Sequence, residues 1–225
     1  MTKFFHIVWW FFLSTSVFAE MVTTGTIRED NPAFTIVIQY PQGFSQPAIN
    51  DAIQKYISEQ KNNFLQSAGR DKELPTNVPG KDTLNITYQT MYQDNQAISI
   101  LFNLSAFNRG AVHPNNTAFT FNFINGQSIT LGQVFKVYSD YLDVVANLSR
   151  TQLFLKKDLD KHQIEEGTKP TAENYKLWYF TARGLAVVFD IYQVAAYVYG
   201  PQTVKIPKDK LFPLIKSDVA KAVWG

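Results

Sequence analysis

LNITYQTMYQDNQAISILFNLSAF, residues Leu84 to Phe107, and TAFTFNFINGQSITL, residues Thr117 to Leu131, are the stretches on which the fold turns. Leu84, Ile86, Tyr88 and Thr90 recur at every second position, the period of a strand with one buried face. Asp94-Asn95 supplies a tight turn, and Ala97 to Phe107 returns as the second arm of a hairpin. Thr117 to Ile124 is another alternating strand, with Phe119, Phe121 and Phe123 on one face. Asn125-Gly126 then marks a hairpin turn, because both residues tolerate positive φ. The short strand after it carries Ile129 and Leu131. These strands predict antiparallel sheet.

Upstream, residues 21–29 and 33–40 form two more expected strands around the turn Glu29-Asp30-Asn31-Pro32. Pro41-Gln-Gly is expected to end the second strand. Ser45 is the expected N-cap of a helix over 46–67, whose Ile49, Ile53, Ile57 and Phe64 share one face. Residues 68–82 read as an exposed loop. Downstream, 131–137 predicts a helical turn and 139–157 a helix with Leu142, Val145, Ala146, Leu148, Leu153 and Phe154 on its apolar face. A linker with Gly167 and Pro170 follows. Strands are expected at 174–180, 185–189 and 204–206, with mostly helix over 208–223. Helices and strands alternate without βαβ regularity, so the fold class is α+β with mainly antiparallel sheets.

The N-terminus reads as a secretory signal over residues 1–19. Lys3 is the positive start, Phe4 to Val17 the apolar run, and Val17-Phe18-Ala19 the small-residue cleavage site. The run is shorter than the roughly 20 residues of a spanning helix. No later run approaches that length, so no membrane span is expected after cleavage. Net charge is +2 at pH 7 without a long like-charge block. That argues against nucleic acid or anionic lipid as a partner, since both need a concentrated basic surface. The chain has no cysteine. Disulfides, thiol catalysis, cysteine-based zinc sites and an N-terminal cysteine lipid anchor are thereby excluded. An exported chain without disulfides fits a bacterial periplasmic or secreted setting. Asn-x-Ser/Thr triplets at Asn85, Asn103, Asn115 and Asn147 are chance occurrences in that setting.

Little in the sequence points to catalysis. Beyond the signal the histidines are His113 and His162, too few for a histidine-based zinc site; neither metal nor cofactor is expected. Asp140 with Asp143, and Glu165 with Glu166, are carboxylate pairs better read as helix-end and surface charge. No nucleophile elbow, phosphate-binding loop or dinucleotide glycine pattern occurs. The aromatic group Trp178, Tyr192, Tyr197 and Tyr199 is the candidate recognition surface, since such rings combine flat apolar area with a polar tip. Arg109 and His113, before the 117–124 strand, complete the candidate binding set. Packing is the competing role for Tyr192 and Tyr197, and loop fixation for His113.

Three segments carry a family resemblance. They are Asn108-Arg109-Gly110-Ala111-Val112-His113-Pro114-Asn115; the run Phe121 to Phe135 with its Asn125-Gly126 turn and Ile129-Thr130-Leu131; and Gly184 to Gly200 followed by Val204-Lys-Ile206-Pro207. Together they resemble the extracellular domain shared by the anti-sigma factor RsiV, the N-terminal region of the deacetylase PdaC and a mycobacterial secreted antigen of the MPT type. Ala196 stands where that family often has Pro, and Val112 is an extra or substituted residue in the histidine segment. The resemblance implies two small α+β subdomains, 20–110 and 111–225. It carries over neither signalling nor deacetylation. The function expected is an exported, non-enzymatic binding protein of the bacterial envelope, and the resemblance points to a lysozyme-like protein or peptidoglycan as ligand. The alternative is a cell-wall-acting hydrolase with its site near Arg109 and His113.

Overall fold

A computed structural model describes residues 22–68 and 79–225. The signal reading falls outside the described residues, as does most of the loop read at 68–82. At the centre, β3 (Asp82–Gln93) and β4 (Ala97–Phe107) form the long hairpin, with a bulge between Thr90 and Tyr92. Asp94 holds the turn by accepting the Gln96 and Ala97 N–H groups at 2.9 and 2.7 Å. β5 (Asn115–Ile124) pairs antiparallel with β4, and β6 (Gln127–Ser128) follows across the Asn125-Gly126 turn. At the other side β1 (Thr23–Asp30) pairs antiparallel with β2 (Phe34–Gln42), which runs through Pro41 rather than ending before it.

β2 and β3 are parallel, with Ile36 opposite Leu84. The chain between them is α1 (Pro47–Ser67), so one βαβ crossover exists where none was expected. The 21 residues of α1 span about 30 Å, enough to carry the chain back along the sheet before β3 begins. Gln46, not Ser45, takes the N-cap position, and Pro47 sits at the start, where a missing N–H costs nothing. The helix buries Ile49, Ile53, Tyr56, Ile57 and Phe64 against Ile36, Ile38, Leu84, Ile86, Ile98, Ile100, Phe102 and Phe123. This is the first core, on the inner face of the six-stranded sheet β1-β2-β3-β4-β5-β6.

A second sheet, β7 (Trp178–Thr181), β8 (Gly184–Phe189) and β9 (Gln202–Pro207), is antiparallel in that order. It packs with α2 (Leu131–Val134), α3 (Tyr141–Phe154), α4 (Lys161–Gly167), α5 (Lys208–Leu211) and α6 (Ser217–Trp224) around a second core. Three local expectations change. α4 lies in the stretch read as linker, started by Asp160, whose carboxylate accepts the Gln163 N–H at 2.7 Å. Residues 173–175 form a 3-10 turn, so β7 is shorter than the strand expected from Asn174. Phe154 is 37% exposed and lies off the buried face of α3, which is made by Val145, Ala146, Ser149 and Leu153.

The two sheets meet edge against face. In β7 the main-chain groups of Trp178 and Phe180 point away from β8, towards the outer face of the large sheet. There Ser99 and Asn122, opposite each other on β4 and β5, share a 2.5 Å hydrogen bond. Asn122 donates to the Trp178 carbonyl at 2.8 Å, and Ser99 accepts the Phe180 N–H at 2.9 Å. Thr120 takes the Trp178 N–H at 3.3 Å. A free strand edge is thereby capped without a further strand. The 110/111 division expected between subdomains falls between β4 and β5, neighbours in one sheet. The fold is α+β with mainly antiparallel sheets.

Candidate functional site

β7 covers only one end of the outer face of the large sheet. Beyond it lie two cross-strand rows that are open except at Ala118, which packs against buried Leu177, Tyr179, Ala186 and Val188 in and beside the small sheet. Asn85, Ser105 and Asn116 are in register across β3, β4 and β5, and so are Thr87, Asn103 and Ala118. Alternation explains their polarity: on the same strands Leu84, Ile86, Ile100 and Phe102 point inward. The segment 190–201 overhangs these rows. Between them lies a groove of about 390 Å³, lined by both rows together with Asp190, Ile191, Tyr197, Val198 and Pro201. That volume is in the range of small-ligand sites.

The overhanging segment is firmly placed. Val194 and Ala195 are buried in the second core. Gln193 donates through its carboxamide to the Gly167 and Asn174 carbonyls at 3.0 and 2.9 Å. Gly167 permits this approach, because a Cβ there would stand 2.0 Å from the Gln193 carbonyl oxygen. Gln163 on α4 donates to the Tyr192 carbonyl at 2.8 Å. With its neighbours anchored, Tyr192 is held at φ 67°, a costly conformation for a bulky residue, and its ring is 58% exposed.

The structure brings three of the expected residues together. The His113 and Tyr197 rings lie 4.5 Å apart, and the Tyr192 and Tyr197 rings 5.7 Å apart. Asn116 donates to the Tyr197 hydroxyl at 3.0 Å, joining this aromatic rim to the Asn85–Ser105–Asn116 row. Tyr199 and Val198 are exposed on the same 3-10 turn, Tyr197–Tyr199. Arg109 stands apart at the end of β4, its N–H on the Asp82 carboxylate at 2.7 Å. Trp178 is 2% exposed and packs edge-on to Phe180 at 5.0 Å, so it is a core residue rather than a surface anchor.

Among the described residues, the His113 site and the carboxylate pairs gather no catalytic set. The His113 Nδ1 is 2.9 Å from the Pro114 carbonyl, which favours the protonated tautomer at that nitrogen and fixes the loop. Among the described residues its other partner is the Tyr197 ring, not a carboxylate. No three His, Asp or Glu side chains among the described residues come together as a metal site would require. Asp140 and Asp143 stand at the start of α3. Glu166 pairs with Lys169, whose hydrogen bond holds its carboxyl below the usual range. Burial raises the Tyr175 and Tyr179 phenols, and both rings belong to the packed interior.

The polar rows are what sequence reading missed. Their signal was present as Asn, Thr and Ser between the inward Ile, Leu and Phe of β3 to β5. In the sequence, Asn85 and Asn103 stand out only as chance Asn-x-Ser/Thr triplets. Alternation shows a polar face, but not that a distant segment, 190–201, roofs it.

Comparison with known proteins follows this architecture. The model described as "Deacetylase PdaC" matches residues 27–116, and that described as "Protein of unknown function (DUF3298)" matches 133–209. The chain is 27% identical over 200 residues to the peptidoglycan-N-acetylmuramic acid deacetylase PdaC of Bacillus subtilis. That alignment takes in 87% of this chain and 42% of the relative, so the chain spans well under half of it. Two solved DUF3298 family structures share the fold. The one from Bacteroides fragilis aligns with a TM-score of 0.61 at 16% identity, over 87% of this chain and 94% of its own. The one from Pseudomonas aeruginosa aligns with a TM-score of 0.66 at 13% identity, over 88% and 96%. With both models matched in order along one sequence, the chain is similar to proteins of the DUF3298/PdaC type.

Proposed function

We propose that this protein is an exported, non-enzymatic binding module of the bacterial envelope, and that the groove under segment 190–201 receives cell-wall glycan. The observation that carries the reading is the pairing of two surfaces at one place. Carboxamides and hydroxyls of Asn85, Thr87, Asn103, Ser105 and Asn116 line the floor, and Tyr197 lines the edge with the Tyr192 and His113 rings beside it. Sugars present hydroxyl edges and apolar faces. Neutral side chains that both donate and accept answer the first, and exposed aromatic rings the second. The relative from Bacillus subtilis is by name an enzyme of peptidoglycan, which agrees with an envelope address and a wall ligand. Such an address also agrees with the signal-like sequence at residues 1–19.

Calorimetric titration of the purified protein with soluble peptidoglycan fragments tests this. Binding is expected, and Tyr197→Ala or Tyr192→Ala weakens it by about tenfold, the loss typical of an aromatic anchor. Tyr138→Ala, in the exposed α2–α3 connection, leaves it unchanged. Heat with lysozyme but none with any fragment moves the reading to a protein partner. Unaltered affinity in both rim variants removes the groove as the site.

A further inference from the structure

The groove is almost uncharged. Its polar lining consists of carboxamides and hydroxyls, and no Lys or Arg contributes. Asp190 is the exception, the one carboxylate among its described lining residues. Local hydrogen bonds set its place. The Asp190 N–H donates to the Gln193 side chain at 3.1 Å, and its own Oδ1 accepts the Ile191 N–H at 2.8 Å. No salt bridge among the described residues engages it. Gln193 is in turn fixed to the Gly167 and Asn174 carbonyls, so the carboxylate is carried on anchored backbone.

A single fixed negative charge in a neutral, protein-walled groove is less screened than one on an open surface. It disfavours anionic ligands and favours a cation. The shape of the lining selects which cation. A primary ammonium has three donors and no acceptor. One donor suits the carboxylate, and the others suit carboxamide and hydroxyl oxygens of the kind that line the same groove. A guanidinium is planar and asks for bidentate acceptors in one plane, which a lone carboxylate already engaged by Ile191 offers poorly.

We propose that the groove selects wall fragments carrying a primary ammonium, received by the Asp190 carboxylate; this rests on the glycan-binding reading above. The shared chemistry has two sources. One is an amino sugar whose nitrogen carries no acetyl group, and the other is the side-chain amine of a diamino acid in a stem peptide.

The test is a set of matched calorimetric titrations of the full protein. One pair is a β-1,4-linked glucosamine tetramer and its fully N-acetylated counterpart. The other is a disaccharide-peptide fragment with its side-chain amine free or acetylated. In one pair the free amine binds about tenfold more tightly, as expected for a charge-assisted hydrogen bond. Asp190→Asn then brings that ratio close to one, and the responding pair identifies the source. Asn retains an oxygen for the Ile191 N–H, and circular dichroism checks folding of the variant. Acetylating the ligand tests the same contact without any change to the protein. Equal affinity within both pairs overturns the proposal, as does a preference that Asp190→Asn leaves intact. If the acetylated ligands bind equally well and depend on Tyr197, only the Asp190 proposal falls. If none of the four ligands binds, the groove reading falls and takes the proposal with it.

Discussion

Single residues carry much of the specificity of this fold. Tyr56 on α1 is an example: its ring packs against Phe102 at 5.2 Å, Phe119 at 4.7 Å and Phe121 at 5.8 Å. Burial pushes its phenol up from the usual 10.0 to about 12. The folded state therefore holds this proton more tightly than the unfolded chain does. Its contribution to stability is fully present below pH 10 and declines as pH rises towards 12. Tyr56→Phe is expected to flatten that alkaline loss, measured as Tm between pH 9 and 12, while leaving the rings packed. His113 and Tyr197 illustrate residues whose partnership is invisible locally. They are far apart in sequence, yet their rings are in contact. Each was singled out for its chemistry, but their meeting at the groove rim required the packed second core.

Among the elements, the strand pairs were the most legible and the short helices the least. β3 and β4 combine two-residue alternation with a turn, and both signals agree. α4 has one fully buried apolar side chain, Ile164, too little periodicity to distinguish it from a linker. The β2-α1-β3 crossover was missed for a different reason. Each element was read correctly in outline, but strand direction depends on where the helix packs. The β8 start shows how tightly the second sheet constrains its backbone. Gly184 has φ +143°, and a Cβ there would lie 2.1 Å from the Ile206 carbonyl oxygen in β9. Gly184→Ala must open the β8–β9 pairing or distort the turn at Arg183. A loss of about 2–4 kcal/mol in chemical denaturation is expected, and a change below about 0.5 kcal/mol would contradict the packing described.

For the molecule as a whole, the decisive feature is the junction of the two sheets. Ser99 and Asn122 are buried polar residues within otherwise apolar surroundings, at 0% and 3% exposure. Their hydrogen bonds satisfy the outward edge of β7, and Ala97 of the large sheet belongs to the second core. The two cores are therefore expected to unfold in one calorimetric transition. Asn122→Ala leaves the Trp178 carbonyl and the Ser99 hydroxyl short of a partner, at a cost of about 2–4 kcal/mol. The same variant is expected to broaden or split the transition, because it weakens the contact that couples the cores. A sharp transition at the original Tm would show that the cores are coupled by other contacts.

Alternation, turn residues and the single apolar face of α1 were determined by the sequence alone, since each depends on neighbours within a few positions. The same holds for the α+β class and the absence of cysteine chemistry. The family likeness was also legible, carried by Asn108–Asn115, Phe121–Phe135 and Gly184–Pro207. Only the tertiary structure decided that β2 and β3 run parallel, that Trp178 is interior, and that segment 190–201 roofs the polar rows of β3, β4 and β5. Those outcomes depend on contacts between residues far apart in the chain. Local propensity carries no record of them; burial of one core between α1 and the large sheet, and of a second between the small sheet and its helices, selects them.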